Sequence, residues 1–366
     1  MDTKILIGAD IVPTKSNYVE FIEGNVETLV GKTMCDLLHE MDFTIFNLEV
    51  PLTDVISPLQ KCGPNLQALS KTINGIKKLN PYFFTLANNH ILDQSVQGLK
   101  ATMEILNREN IKYAGAGNDL KEASKPFVFE KNGIKIGIYC CAEREFSIAT
   151  ENKAGANPFD PLFSLDHIRL LKKDVNYVIV LYHGGKEHYR FPSPNLQKTC
   201  RRIVDSGADL VVCQHSHCIG CYEDWETGKI IYGQGNFLFD DSDSEFWKTS
   251  LLIEIIFKSK NDFSIEYIPI VKVGNGIRLA ENEKKVEIIN GFEDRSKRII
   301  ESAFIETEYS KFAQQYINTY LRTGMPHNTS LFNRVFNKLS KGTWFERRIT
   351  KEQKLALCNY LECEAH

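Results

Sequence analysis

Five short polar clusters each follow an apolar run: Gly8-Ala9-Asp10, Asn47-Leu48-Glu49, Asn88-Asn89-His90, His183-Gly184-Gly185 and His215-Ser216-His217. Carboxylate oxygens, an amide oxygen and neutral imidazoles make a mixed donor set that suits Mn²⁺, Fe or Zn²⁺ better than Ca²⁺ or a thiolate-bound metal. Two divalent ions against two carboxylates leave about two units of positive charge, which favours an anionic substrate, phosphate above all. Such a pair lowers the pKa of bound water to about 7 and clamps the attacking and leaving oxygens of a displacement. In an α/β sheet the carboxyl ends of the strands lie along one edge, so clusters far apart in sequence converge there. The recurrence of a polar cluster after a strand is the main sequence argument for a site.

Each cluster also has a plainer reading. Asn88-Asn89-His90 followed by Asp93 reads, taken alone, as the cap of the next helix. His183 before two glycines reads as a turn residue. His215-Ser216-His217 is the stronger signal, because two imidazoles directly after a buried strand are costly unless bound or well hydrogen-bonded. Its neighbours Cys213, Cys218 and Cys221 offer a structural zinc as a rival, but their spacing matches no common Cys/His finger.

The elements that must position these clusters follow from hydrophobic periodicity. Short apolar runs at Lys4–Ile7, Phe43–Phe46, Phe83–Leu86, Lys112–Ala114, Ile134–Cys140, Tyr177–Leu181, Leu210–Cys213 and Ile230–Tyr232 predict strands. Helical spacing over Val26–Glu40, Gln94–Glu109 and Asn195–Ser206 alternates with them, which is the pattern of an α/β sheet. Thr249–Phe257 and Phe263–Val271, joined by the polar turn Lys258–Asp262, predict an antiparallel hairpin. A domain over residues 1–290 is expected, followed by a helical appendage over 291–366 with helices at Ser296–Ala303, Tyr309–Arg322, Leu331–Leu339 and Lys351–Leu361.

The 366 residues, 43% hydrophobic, suffice for one large core plus a smaller unit. The formal charge of −3 arises from interspersed charges, without the basic blocks that mark nucleic-acid or membrane-surface binding. The first apolar run is too short for a signal-peptide core, and no stretch reaches the roughly 20 apolar residues of a membrane helix. A soluble, cytoplasmic protein is expected. The ten cysteines, including the adjacent pair Cys140-Cys141, lack the framework of a secreted domain and are expected as free thiols.

The clusters and their surroundings resemble the CapA-like capsule and poly-γ-glutamate biosynthesis family, whose fold belongs with the calcineurin-like metallophosphoesterases. The matching segments are Gly8-Ala9-Asp10, Phe46 to Thr53, Thr85 to His90 with Asp93 and Gly98, Tyr113 to Gly117, Tyr182 to Glu187, Asp205 to Asp209, His215-Ser216-His217 and Gly235-Asn236-Phe237. They occur in the family's order over about residues 5 to 240. The resemblance implies an α/β fold, a four-layer αββα sandwich. It casts Asp10, Glu49, Asn89, His183, His215 and His217 as ligands of two divalent transition-metal ions, and His90 as the general acid. Asn47 and Glu187 become supporting or substrate contacts, and Arg144 and Lys186 anion-binding loop residues. Ala9 and Gln214 stand where the family usually has glycine, positions that matter if the backbone there needs positive φ. Tyr182-His183 replaces the family's usual pairing of His with a following Trp.

The implied activity is metal-dependent hydrolysis of a phosphoester or related bond in the synthesis or tailoring of a capsular polysaccharide or poly-γ-glutamate. The substrate would be an anionic small molecule or polymer, and polymer-biosynthesis proteins are candidate partners. Two alternatives stand beside it: a catalytically degenerate component of a polymer-assembly complex, and a metal-dependent hydrolase or transferase at glutamyl amide bonds.

Overall fold

Along the first strand Ile5, Leu6 and Ile7 alternate between two sides, as a period of two requires, and the register shift after Ile7 breaks the alternation so that Ile11 falls on the side of Leu6. Ile5 and Ile7 join Ile45, Phe83, Ile136, Ile138, Ile179, Leu181 and Val212 in one apolar cluster. Leu6 and Ile11 join Phe46, Leu48 and Phe84 in another, with Met34, Leu38, Leu99, Met103 and Leu106 from helices. Most of these side chains are fully buried, each contributing about 1.5–3 kcal/mol of transfer free energy. A sheet apolar on both faces must be covered on both.

The computed structural model describes residues 2–61, 63–323, 335–336 and 338–340. Among them the strands are β1 (Thr3–Val12), β2 (Phe43–Leu48), β3 (Phe83–Thr85), β4 (Lys112–Ala114), β5 (Ala116–Gly117), β6 (Phe127–Lys131), β7 (Ile134–Ala142) and β8 (Gly155–Ala156). They continue with β9 (Tyr177–His183), β10 (Leu210–Gln214), β11 (Tyr222–Trp225), β12 (Gly228–Tyr232), β13 (Asn236–Phe239), β14 (Thr249–Ser259), β15 (Asp262–Val273) and β16 (Gly276–Leu279). One sheet has the order β16-β15-β14-β1-β2-β3-β4, with β13 also paired to β1. A second has the order β11-β12-β10-β9-β7-β6. The strands β1 to β4 run parallel, as do β7, β9, β10 and β12, so two sets of carboxyl ends are available to carry a site.

The cluster containing Ile5 and Ile7 draws on both sheets and is the layer between them. Helices Lys32–Glu40 and Ser95–Arg108 cover the outer face of the first sheet, and Ser164–Asp174 and Pro194–Asp205 lie against β7, β9, β10 and β12 on the second. The result is a four-layer αββα sandwich, as the resemblance implies. No helix among the described residues is long and apolar enough to cross a membrane.

The hairpin expected near residues 249–271 forms as β14 and β15, antiparallel and in register from Thr249↔Val271 to Phe257↔Phe263. Three local expectations change. The first strand runs on to Val12, because β13 pairs with it from Asp10 onward through a register shift at Asp10/Ile11. The single helix expected over Val26–Glu40 divides into Val26–Val30 and Lys32–Glu40 at Gly31, whose φ of 79° ends the first piece. The helix expected at Ser296–Ala303 instead occupies Asn282–Arg298, and its Phe292 is buried against Tyr222 and Tyr267.

The chain forms two compact units, Met1–Ser302 and Ala303–His366. Position 290, expected to close the first domain, lies inside the helix Asn282–Arg298. In the second unit the helix expected at Tyr309–Arg322 spans Phe304–Thr323. Of Leu331–Leu339 only residues 335–336 and 338–339 are described, as helix, and Lys351–Leu361 lies outside the described residues.

Candidate metal centre

Asp10 lies near the carboxyl end of β1, where register shifts against both β2 and β13 interrupt the ladder. Its Oδ1 accepts from Asn47 Nδ2 at 2.7 Å, while its Oδ2 has no hydrogen-bond partner. Glu49, just past β2, is fully buried, and neither of its carboxylate oxygens has a hydrogen-bond partner. Three orphaned carboxylate oxygens in one place would cost several kcal/mol unless something positively charged compensates them.

The histidines supply neighbours but not enough charge. His183, which ends β9, places Nε2 3.0 Å from Asn89 Oδ1, 3.2 Å from His215 Nδ1 and 3.3 Å from Glu49 Oε1. His217 Nδ1 lies 2.9 Å from Asn236 Oδ1 and 3.7 Å from Asp10 Oδ2. Two triads result, Glu49/His183/His215 and Asp10/Glu49/His217, all buried, with the ligand atoms of each within 4.8 Å of one another. Glu49 belongs to both. Asn89 Oδ1 adds a fourth donor to the first. Carboxylate and amide oxygens converging with imidazole nitrogens are the donor chemistry of a divalent-metal site, so these residues fit a metal pair sharing Glu49.

The electrostatics agree. Burial, and then the nearby Asp10 carboxylate, push Glu49 well above the ordinary carboxylate range. Burial holds His183 down to about 4, and burial followed by the other histidines holds His215 well below its usual value, so both imidazoles are neutral donors. His217 is the exception. Burial opposes its charge, but Asp10 and Glu49 outweigh that and push it up to about 9.

The backbone is bent at two of the candidate ligands. His215 and His217 both have positive φ, 93° and 52°. For side chains with a Cβ these are strained conformations, of the kind held at functional sites. Ala9 and Gln214, by contrast, lie within β1 and β10 without positive φ, so neither position needs the glycine that the resemblance suggests. Gln214 Nε2 reaches Gln234 Oε1 at 3.2 Å and the Gly8 carbonyl at 3.4 Å, joining the two sheets below the site.

His90 stands apart from the triads. Its Nδ1 donates to Asp93 Oδ2 at 2.6 Å, its backbone N–H donates to Asn88 Oδ1 at 3.1 Å, and Lys61 pairs with the other oxygen of Asp93. Asp93 therefore orients an imidazole and does not cap the following helix, whose N-terminus has no side-chain cap. Asn47 supports Asp10 and lies 3.3 Å from His183 Nδ1, and Asn88 Nδ2 donates to Asn47 Oδ1 at 3.0 Å.

The remaining expected residues sit farther out. Lys186 and Glu187 are exposed, and Lys186 still influences Glu143 and His215. Arg144 is exposed and pairs with Asp160 at 3.3 Å. Its neighbour Glu145 instead approaches His215, with Oε1 3.9 Å from Nε2. Sequence reasoning read Asn88 and Asp93 as a helix cap and assigned no individual role to Glu145, Asn236 or Lys61. It also overlooked Trp247, whose ring packs 4.9 Å from His217. The spacing of Asp93 three residues after His90 was the one usable signal. Among the described residues the cysteines offer no rival site: Cys213, Cys218 and Cys221 are free, and neither triad contains a thiol.

Residues 10–241 match the family described as "Bacterial capsule synthesis protein PGA_cap". This chain belongs to the PGA_cap family. Relatives within reach of sequence comparison include the PGA biosynthesis protein CapA of Bacillus subtilis, 30% identical over 239 residues that cover 64% of this chain and 62% of that protein. The capsule biosynthesis protein CapA of Bacillus anthracis is 27% identical over 242 residues, covering 64% and 59%. The match thus spans about three-fifths of the length of these relatives. Among solved structures, a putative 5'-nucleotidase from Staphylococcus aureus in complex with alpha-ketoglutarate aligns with 14% identity and a TM-score of 0.47, covering 80% of this chain and 58% of that one. The five residues of the two triads, and Asn89, fall within or at the limit of the PGA_cap match.

Proposed function

We propose that this PGA_cap chain is a two-metal hydrolase that cleaves a phosphoester or related bond of an anionic substrate during synthesis or tailoring of a capsular polymer. The observation that carries this reading is Glu49, buried, with both oxygens unpartnered, at the meeting point of two ligand triads. Asp10, Glu49 and His217 would hold one divalent ion, and Glu49, Asn89, His183 and His215 the other, the ions being Mn, Fe or Zn. When bound, such a pair supplies Lewis acidity and a nucleophilic water at neutral pH.

The chain's own residues account for the rest of the chemistry. With Nδ1 donating to Asp93, His90 has Nε2 free to face a leaving oxygen, and its imidazolium form would give that oxygen the Nε2 proton and return to the neutral Nδ1–H tautomer. Asn47 and Asn88 fix Asp10 and the His90 backbone in a connected amide network, which limits the reorganisation a reaction would require. Lys186 at the exposed rim is placed to attract an anionic substrate. The names of the relatives support a capsular or poly-γ-glutamate setting, with polymer-biosynthesis proteins as partners.

Metal analysis combined with a substrate panel tests the proposal. Two transition ions per chain, with turnover of phosphomonoesters, phosphodiesters or sugar phosphates, are expected. Two ions with turnover only of glutamyl peptides would move the chemistry to the amide bond. No bound metal and no turnover would leave a non-catalytic role in polymer assembly.

A further inference from the structure

Beyond the metal centre, an open cleft of about 740 Å³ runs between the hairpin β14–β15, the short helix Glu245–Lys248 and the helix Asn282–Arg298. Its lining is charged, and the pairing is uneven. Lys284 is matched by Glu287 at 2.8 Å, Lys272 by Asp240 at 2.5 Å, and Arg190 by Glu245 at 3.3 Å. Two cations remain. Lys248 and Arg295 make no ion pair with any described residue.

Arg295 is the informative one. It is half-buried, its Nε donates to the Gly220 carbonyl at 2.7 Å, and no other described group accepts from its guanidinium. Burial and the neighbouring Arg190 both act against its charge. An arginine retained under those conditions with two Nη groups unused is a donor fork awaiting a carboxylate or phosphate. Arg190 reinforces it. This second guanidinium is held by the Ile219 carbonyl at 3.0 Å and by the Phe246 ring at 4.9 Å, and only the largely exposed Glu245 side chain competes for it.

The cleft and the metal centre share one wall. Glu245 and Lys248 face the cleft, while Trp247 between them packs on His217 and donates to His188 Nε2 at 2.8 Å. We propose that this cleft is an anion subsite, in which Arg295, Arg190 and Lys248 hold a carboxylate or phosphate group of an extended polyanionic substrate beyond the bond at the metal centre. The substrate class is thereby a chain of repeated acidic groups, longer than one phosphate ester. This rests on the anionic-polymer reading above only for its choice of probes; the cleft's own evidence is Arg295.

Calorimetric titration of the intact protein with a six-residue glutamate oligomer and, separately, with tripolyphosphate tests it. Arg295→Gln is expected to weaken binding of at least one probe about ten-fold, and Lys248→Glu about three-fold or more. Arg295→Lys, which keeps the charge, should lose less than Arg295→Gln, and that ordering separates a lost contact from a misfolded variant. Loss with the glutamate oligomer alone assigns carboxylates, and loss with tripolyphosphate alone assigns phosphates. Binding that survives in R295Q and K248E but disappears in His215→Ala would place the anion at the metal centre and overturn the subsite. So would the absence of binding by either probe. Catalytic turnover does not enter the readout, so failure of the hydrolase reading would be distinguishable.

Discussion

Replacing Glu49 by Gln separates a metal ligand from a structural carboxylate. Glu49 is fully buried beside Asp10, and neither of its oxygens is hydrogen-bonded. An unsatisfied buried polar group costs about 1–3 kcal/mol, and more when charged. Gln has nearly the same shape, removes the repulsion with Asp10, and offers an amide donor to the unpartnered Asp10 Oδ2. Glu49→Gln should therefore stabilise the metal-free protein by about 2 kcal/mol, or about 3 °C in Tm for the unit Met1–Ser302. The sign with pH follows from the raised folded-state pKa of Glu49. Its contribution to wild-type stability is fully present below the unfolded-state value and is lost as pH rises through the folded-state one. The advantage of Gln is accordingly small in acid and largest at mildly alkaline pH. Divalent metal should reverse the order, because wild type gains about 2.7 kcal/mol at a hundred-fold excess over Kd while the variant gains little. Thermal unfolding after chelation, at two pH values and then with Mn²⁺ or Zn²⁺ added, measures all of this. A metal-free variant less stable than wild type at alkaline pH, or equal metal-induced shifts in both proteins, would refute the reasoning.

Three further outcomes are expected. His90→Ala should lower kcat by about 10² to 10⁴ with metal content near wild type, and by less for a nitrophenyl ester that needs little protonation. If metal is lost as well, His90 is a ligand. Metal uptake near pH 8 should release about one proton from His217, which is pushed up to about 9 in the metal-free chain and must be neutral to ligate. Calorimetry in buffers of different ionisation heats counts it, and a count of zero removes His217 from the ligand set. Gly8→Ala would put a Cβ 2.3 Å from the Phe46 ring and should cost about 1–3 kcal/mol, read as a lower denaturant midpoint with an unchanged slope.

The parallel strands and the hairpin were legible because their apolar runs carry the fold by themselves. Tyr177–His183 is buried at every position, and β14 pairs along nearly its full length. The short strands β5, β8 and β13 were not. Ala116–Gly117 and Gly155–Ala156 have no side-chain pattern to read, and β13 becomes a strand only because β1 lies beside it. In the site, donor types marked Asp10, Glu49, Asn89 and the three histidines, whereas supporting residues depend on rotamers. Arg144 and Glu145 are neighbours on one loop, yet the chain turns the carboxylate toward His215 and the guanidinium toward Asp160. No periodicity encodes that choice.

The glycine question shows the same division from the other side. A motif that usually carries glycine before Asp or His suggests that the preceding residue bends, and Ala9 and Gln214 then look like defects. In the structure the bend falls one residue later, on His215, and again on His217. Gln214 stays in the strand and uses its side chain to tie Gln234 and Gly8 together. A large residue at 214 is compatible with the turn because it lies outside it. The strain is carried by the two imidazoles, and only interactions made by those imidazoles can compensate it. Within the protein their hydrogen bonds are one from His215 to another histidine and one from His217 to Asn236, and Asp10 Oδ2 and both Glu49 oxygens have no hydrogen-bond partner beside them. Strained donors facing orphaned acceptors are an arrangement that a shared cation would balance.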